Sequence, residues 1–129
     1  MDFIIGGRCQ GKREYVKEKY GFGDEDFMYA EDIADNDMQG KRCLVGFHLL
    51  VRRLLLEGAD IEKSVCALLD KNDISVIISD EIGCGIVPAD AFEREYREAV
   101  GRQSCILAKK AQKVVRVMSG IGVVISQSR

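Results

Sequence analysis

Gly6, four intervening residues, Gly11 and Lys12 follow directly on the apolar residues Phe3, Ile4 and Ile5. Glycines let a chain turn tightly and bring backbone N–H groups close to an anion, and a lysine placed after them reaches the outer oxygens of a bound phosphate. A helix beginning there adds a partial positive charge. The pattern is that of a phosphate-binding loop; the alternative is an ordinary tight strand-to-helix turn. Gly6, Gly7, Arg8, Cys9, Gln10, Gly11, Lys12 and Arg13 are its candidate phosphate contacts, and Lys12 its candidate catalytic cation. One part differs from the usual motif. Such loops continue with Ser or Thr, whose hydroxyl ligates Mg²⁺, and Arg13 stands in that place. A guanidinium pairs with phosphate oxygens and repels a cation. Arg13 therefore predicts nucleotide binding that depends little on Mg²⁺, with the penalty falling on phosphoryl transfer. Drift at a site no longer in demand is the other reading of Arg13.

A second group of chemical interest is Asp80-Glu81, followed by glycines at 83 and 85. It lies at the carboxyl end of the most apolar segment of the chain, where ligands of open α/β sheets bind. A carboxylate there can hold Mg²⁺ or accept a proton from a hydroxyl nucleophile; an acidic cap or a solvated loop is the plainer alternative. Glu81 is the candidate metal and catalytic carboxylate. His48 sits among Phe47, Leu49, Leu50 and Val51 and reads as a packed or surface residue rather than a nucleophile. Cys9, inside the loop, reads as inert packing before it reads as a reactive thiol.

These residues need elements to position them. Residues 3–5 form a first buried strand and 12–20 a helix that Gly21-Phe22-Gly23 ends. A short strand is expected at 26–30, a loop or short helix at 31–40 and a third strand at 43–46. Residues 47–57 carry helical spacing and Gly58 stops them; Asp60 caps a following helix. Residues 74–78 form the strongest strand, apolar enough for burial on both faces of a parallel sheet. A glycine-rich loop follows at 80–88. A long helix spans 90–110, with Gly101 as a weak point or kink. A strand at 113–118, a turn at 119–122 and a last strand at 123–126 complete the chain. The alternation predicts an α/β sandwich with a mostly parallel sheet and one antiparallel edge.

The 129 residues are enough for one domain with one core, here 1–129. Apolar content of 47% and charged content of 31% are those of a soluble globular protein. A net charge of −2 gives no basic footprint for nucleic acid. No apolar run reaches membrane-spanning length and the chain opens without a signal-peptide pattern. Cys9, Cys43, Cys66, Cys84 and Cys105 are scattered and form no C-x-x-C pair, as expected of free thiols in a reducing cytoplasm.

Taken together, the motifs resemble the bifunctional adenosylcobinamide kinase and adenosylcobinamide-phosphate guanylyltransferase family of cobalamin biosynthesis. The run from Ile4 through Gly6-Gly7 to Lys12 resembles that family's glycine-glycine phosphate loop. Ser79-Asp80-Glu81-Ile82-Gly83-Cys84-Gly85-Ile86-Val87-Pro88 resembles its Asn-Glu-Val-Gly-x-Gly-Ile-Val-Pro signature. Arg94, Tyr96-Arg97, Gly101 and Arg102 fall where its Arg, Phe-Arg and Gly-Arg stand, and Ser119-Gly120-Ile121-Gly122 resembles its C-terminal segment. The resemblance implies a phosphate-loop, RecA-related fold, ATP or GTP as the nucleotide, a corrinoid as acceptor and a homo-oligomer, often a trimer. It also implies nucleotide contacts at Ala30, Glu31 and Asp32. The departures carry expectations of their own. Family members are longer between the second and third strands, and the missing stretch normally carries the histidine that takes the guanylyl group. No histidine precedes His48. Gly46 stands where the third strand normally ends in an acidic residue, and Asp80 where the family has Asn. Guanylyl transfer is therefore expected to be lost and the kinase step weakened. A non-catalytic nucleotide-binding or structural partner protein of the same descent is the alternative.

Overall fold

The structure, a computed structural model, describes residues 1–82 and 90–128. The glycine-rich loop after Ile82 and the Gly-Ile-Val-Pro stretch lie outside the described residues, apart from the opening positions 80–82.

Strand β1 (Asp2–Gly6) leads into helix α1 (Lys12–Tyr20). Strands β2 (Phe27–Tyr29) and β3 (Cys43–Val45) follow, then helices α2 (Phe47–Leu56) and α3 (Ile61–Lys71). Strand β4 (Val76–Asp80), helix α4 (Ala91–Lys110) and strands β5 (Lys113–Met118) and β6 (Ile121–Gln127) complete the order. The six strands make one sheet in the order β2-β3-β4-β1-β5-β6. All pairings are parallel except β5 with β6. This is the expected three-layer phosphate-loop α/β sandwich with a mostly parallel sheet and an antiparallel edge.

The layers follow from strand alternation. Ile4, Val76, Ile78 and Val115 face one side and pack with Val16 of α1. Phe3, Ile77 and Val114 face the other and pack with Phe47, Leu50, Leu68 and Leu107 of the remaining helices. β1 is central, with Phe3 opposite Ile77 on one flank and Val114 on the other. Asp60 caps α3 by accepting the Lys63 N–H at 3.1 Å, as its position in the sequence predicts.

Three details differ from the sequence reading. β4 starts at Val76 rather than residue 74 and runs on through Ser79 and Asp80, because β1 continues beside it and Gly6 stands in register with Asp80. α4 passes through Gly101 unbroken; a glycine there costs about 1 kcal/mol, less than the packing of Val100 and Leu107 supplies. The last turn is two residues, Ser119 (φ 50°) and Gly120 (φ 77°), so Ile121 and Gly122 already belong to β6. Left-handed values at both central positions are those of the tight hairpin turn that matches strand twist. The 31–40 segment agrees with its reading as loop or short helix: a short 3₁₀ turn over Ala30–Asp32 leads to a small bridge between Ala34 and Asp37, anchored by buried Ile33 and Met38.

Candidate functional site

The β1–α1 junction folds back over its own lysine. Gly11 (φ 86°) adopts a left-handed conformation just before Lys12 opens α1, and Cys9 (φ 61°) does so without the freedom of a glycine. Lys12 is buried, unusual for its type. Its Nζ donates to the carbonyls of Gly6 at 3.2 Å and Gly7 at 2.7 Å and pairs with Asp80 Oδ1 at 2.8 Å. Gly6 has no room for a side chain: a Cβ there would lie 2.5 Å from the Val117 carbonyl oxygen.

Strand alternation decides which member of the acidic pair meets this lysine. Asp80 shares its face with Ile78, the α1 side, and stands beside Gly6. Glu81 donates its N–H to the Gly6 carbonyl at 2.8 Å and projects to the opposite face. There its carboxylate is held at two points by Arg116, Nε at 2.8 Å and Nη2 at 3.0 Å. It borders an adjoining, mostly apolar cavity of about 330 Å³ beneath α4, together with Ile5, Asp80, Ile82 and Val100.

His48 completes the constellation from the first turn of α2. Gly46 (φ 88°) ends β3 in the same left-handed conformation as Gly11 and starts α2. The imidazole Nδ1 accepts the Asp80 N–H at 3.1 Å, which puts the ring proton on Nε2, 3.4 Å from Asp80 Oδ2. Burial holds His48 below its ordinary value of 6.5; Asp80 opposes that shift and Lys12 adds to it. Tyr96 of α4 donates to the His48 carbonyl at 3.1 Å and fixes the turn.

Lys12, Asp80 and His48 line a cavity of about 520 Å³ at the carboxyl ends of the parallel strands. Of the residues proposed from sequence, Cys9, Gln10, Gly11, Lys12, Arg13, Ala30 and Glu31 line it as well. Gly6 and Gly7 contribute through their carbonyls to Lys12, and Arg8 is exposed outside the lining. Asp32 is also exposed outside it, and Glu81 faces the other cavity. Arg53 holds the 3₁₀ turn in place by donating to the carbonyls of Ala30 and Ile33, each at 3.0 Å. Arg13 turns to the Tyr29 hydroxyl, 2.7 Å from its Nη1. Cys9, Cys43, Cys66 and Cys105 are free thiols, and burial pushes Cys43 up to about 12, which makes it inert.

Sequence reasoning passes over two contributions. His48 is hidden by its apolar neighbours; the signal is Gly46, which places the first turn of the next helix at the carboxyl edge of the sheet. The β5–β6 turn braces the glycine loop, with Ser119 donating its N–H to Gln10 Oε1 at 2.7 Å and Gly120 to the Gln10 carbonyl at 2.8 Å. Among the described residues no group of three or more His, Cys, Asp or Glu side chains is placed to hold a metal ion, and no helix is long and apolar enough to cross a membrane.

The family model for cobinamide kinase / cobinamide phosphate guanyltransferase matches residues 47–125, more than half of the chain. The chain belongs to that family. The match begins at α2 and includes His48 and Asp80, while the glycine loop precedes it. The chain is 44% identical over 66 residues to the bifunctional adenosylcobalamin biosynthesis protein CobU of Escherichia coli, covering 51% of this chain and 36% of that protein. It is 44% identical over 48 residues to the protein of the same name from Salmonella typhimurium, covering 37% of this chain and 26% of that protein. The matched stretches thus span 36% and 26% of the length of these curated relatives.

Proposed function

We propose that this chain is a nucleotide-binding member of the family that directs a kinase-type step at adenosylcobinamide, in cytoplasmic cobalamin biosynthesis or corrinoid salvage, and has lost the guanylyltransferase step. The observation that carries the reading is the buried ammonium of Lys12, held at the end of the central strand and opening onto the cavity. A buried lysine at the start of a helix is a phosphate-directed charge. ATP or GTP would place its outer phosphates there, with Gln10, Gly11 and Arg13 around them. Arg13 pairs with phosphate oxygens when it leaves Tyr29.

The chemistry of the donor set fits Mg²⁺ carried in by the nucleotide. One carboxylate plus phosphate oxygens and water is an ordinary Mg²⁺ environment, whereas a protein cage is not needed. Bound there, the ion would neutralise charge on the transferred group. We assign its carboxylate to Asp80 in place of Glu81, because Asp80 faces Lys12 and Glu81 is tied to Arg116. Loss of guanylyl transfer is supported by His48, the sequence's single histidine, whose two ring nitrogens both face Asp80. An imidazole so engaged is a poor covalent nucleophile. Self-association belongs to the same reading: β6 is an edge strand with Ile121, Val123 and Ile125 exposed, the kind of edge that another copy covers.

Calorimetric titration with ATP and with GTP tests the binding step. Lys12→Ala should weaken affinity by about 1–3 kcal/mol, the value of a charge-assisted hydrogen bond, and unchanged affinity would reject the site. Phosphorylation of adenosylcobinamide in a turnover assay tests the kinase step. After incubation with GTP, mass analysis should show an unmodified chain, and an adduct on His48 would overturn the loss of guanylyl transfer.

A further inference from the structure

Within the chain the charge of Lys12 is already engaged. An ammonium has three donors, and Lys12 Nζ has three acceptors: Gly6 O, Gly7 O and Asp80 Oδ1. A phosphate oxygen must displace at least one of them. Among the described residues the cavity offers little other charge to attract a polyphosphate. Its lining pairs the cations Lys12 and Arg13 against the carboxylates Glu14, Glu31 and Asp80. His48 does not redress the balance, since its Nδ1 accepts the Asp80 N–H and its Nε2 faces Asp80 Oδ2. When Lys12 turns to the phosphates, Asp80 is left facing them as a like charge, about a quarter exposed and held in place through its own backbone.

We propose that Asp80 makes nucleotide binding by this chain conditional on a divalent cation, which must lie between its carboxylate and the polyphosphate. The inference rests on the phosphate-loop reading of the cavity and deepens it. It reverses what Arg13 alone predicts: the hydroxyl ligand is absent, yet magnesium dependence persists through a different residue at the end of a different strand. Asn at this position would have the same shape and no charge, and would leave Lys12 as an uncancelled cation.

The test is the affinity of ADP and of a non-hydrolysable ATP analogue, measured by calorimetry with excess Mg²⁺ and with EDTA, for the parent and for Asp80→Asn. A like charge at close range is worth about one to three powers of ten in an equilibrium constant. The parent should lose at least about tenfold in affinity in EDTA by this measure. Asp80→Asn should lose less than about threefold and bind metal-free nucleotide more tightly than the parent, because the repulsive charge is gone. An equal loss in EDTA for both proteins would overturn the inference, and so would tighter binding by Asp80→Asn to the same degree with and without Mg²⁺. The latter would show that Asp80 only restrains Lys12. No binding by either protein in either condition would overturn the phosphate-loop reading itself, and the inference with it. A second measurement needs no variant. With Mn²⁺ replacing Mg²⁺ in the parent's nucleotide complex, the carboxyl carbon signal of Asp80 should broaden beyond detection while that of Glu81 persists. The reverse pattern would overturn the assignment.

Discussion

Two strand-to-helix junctions open onto the same cavity, and each enters its helix through a left-handed glycine. β1 passes through Gly11 at φ 86° into α1, and β3 passes through Gly46 at φ 88° into α2. Each places one residue at the start of a helix: Lys12 in the first, Phe47 in the second. Lys12 is buried against carbonyls and a carboxylate, whereas Phe47 is fully buried against Phe3, ring edge to ring face, in the core of the other layer. The difference teaches that a left-handed glycine at a strand end is only a device for turning the chain. What makes one junction the candidate site is the cation set into it and the five-residue detour from Gly7 to Gly11 that wraps the cation. The other junction contributes to the site through the second residue of its helix, His48, which meets Asp80.

The largest expected effect separates the two first-turn residues. Phe47→Ala should lower unfolding stability by about 3–5 kcal/mol, as for large core aromatics, measured by urea denaturation. Lys12→Ala should cost clearly less in the same experiment while weakening nucleotide binding. Equal losses of stability would mean that Lys12 is a structural residue and the comparison fails. The glycines give the next effect. Alanine in a left-handed conformation costs about 1–2 kcal/mol, so Gly11→Ala and Gly46→Ala should both lower the melting temperature. Gly11→Ala should lower it more, because its Cβ would stand 3.3 Å from the Gly120 Cα, while the nearest atom to a Cβ at Gly46 is Leu49 Cδ1 at an ordinary 3.5 Å. A larger effect at Gly46 would break the account of the brace. The smallest effect is the pH dependence through His48. Its folded value is depressed below 6.5, so the unfolded chain binds the proton first. The stability it contributes is present above pH 6.5 and declines as pH falls from there through the folded value. Thermal melts of the parent and His48→Asn between pH 7 and 5 should diverge on the acid side, with the parent losing more; parallel melts would remove His48 from the account.

The parts of this arrangement that lie within a few residues of one another are legible in the sequence. The glycine-lysine loop, the start of α1 at Lys12 and the cap at Asp60 are local devices, set by backbone freedom and hydrogen bonding between neighbours. The apolar run of β4 identifies a central strand, although it places the end two residues short: polar Ser79 and Asp80 do not look like a buried strand until β1 is known to run beside them. Choosing between Asp80 and Glu81 requires knowing which face of the sheet α1 covers, and that is a property of the crossover rather than of either residue. His48 is discounted for the company it keeps. Phe47, Leu50 and Val51 do face the core, but the histidine lies on a different side of the same turn, and its partner is 32 residues away. The cavity's acidic balance is likewise illegible, since Glu14, Glu31 and Asp80 come from three separate elements.

The Ser119–Gln10 contact joins residues 109 positions apart. Closing so long a span directly is entropically unfavourable, and the cost grows with its length. The sheet shortens the span first: once Ile5 is paired with Arg116, only a few residues on each side remain to be brought together. The glycine loop is therefore expected to settle after the central strands have found their register. A nascent chain that has made β1 and α1 already holds the loop's glycines and its lysine, yet the frame that closes over them comes about a hundred residues later, with the turn between β5 and β6.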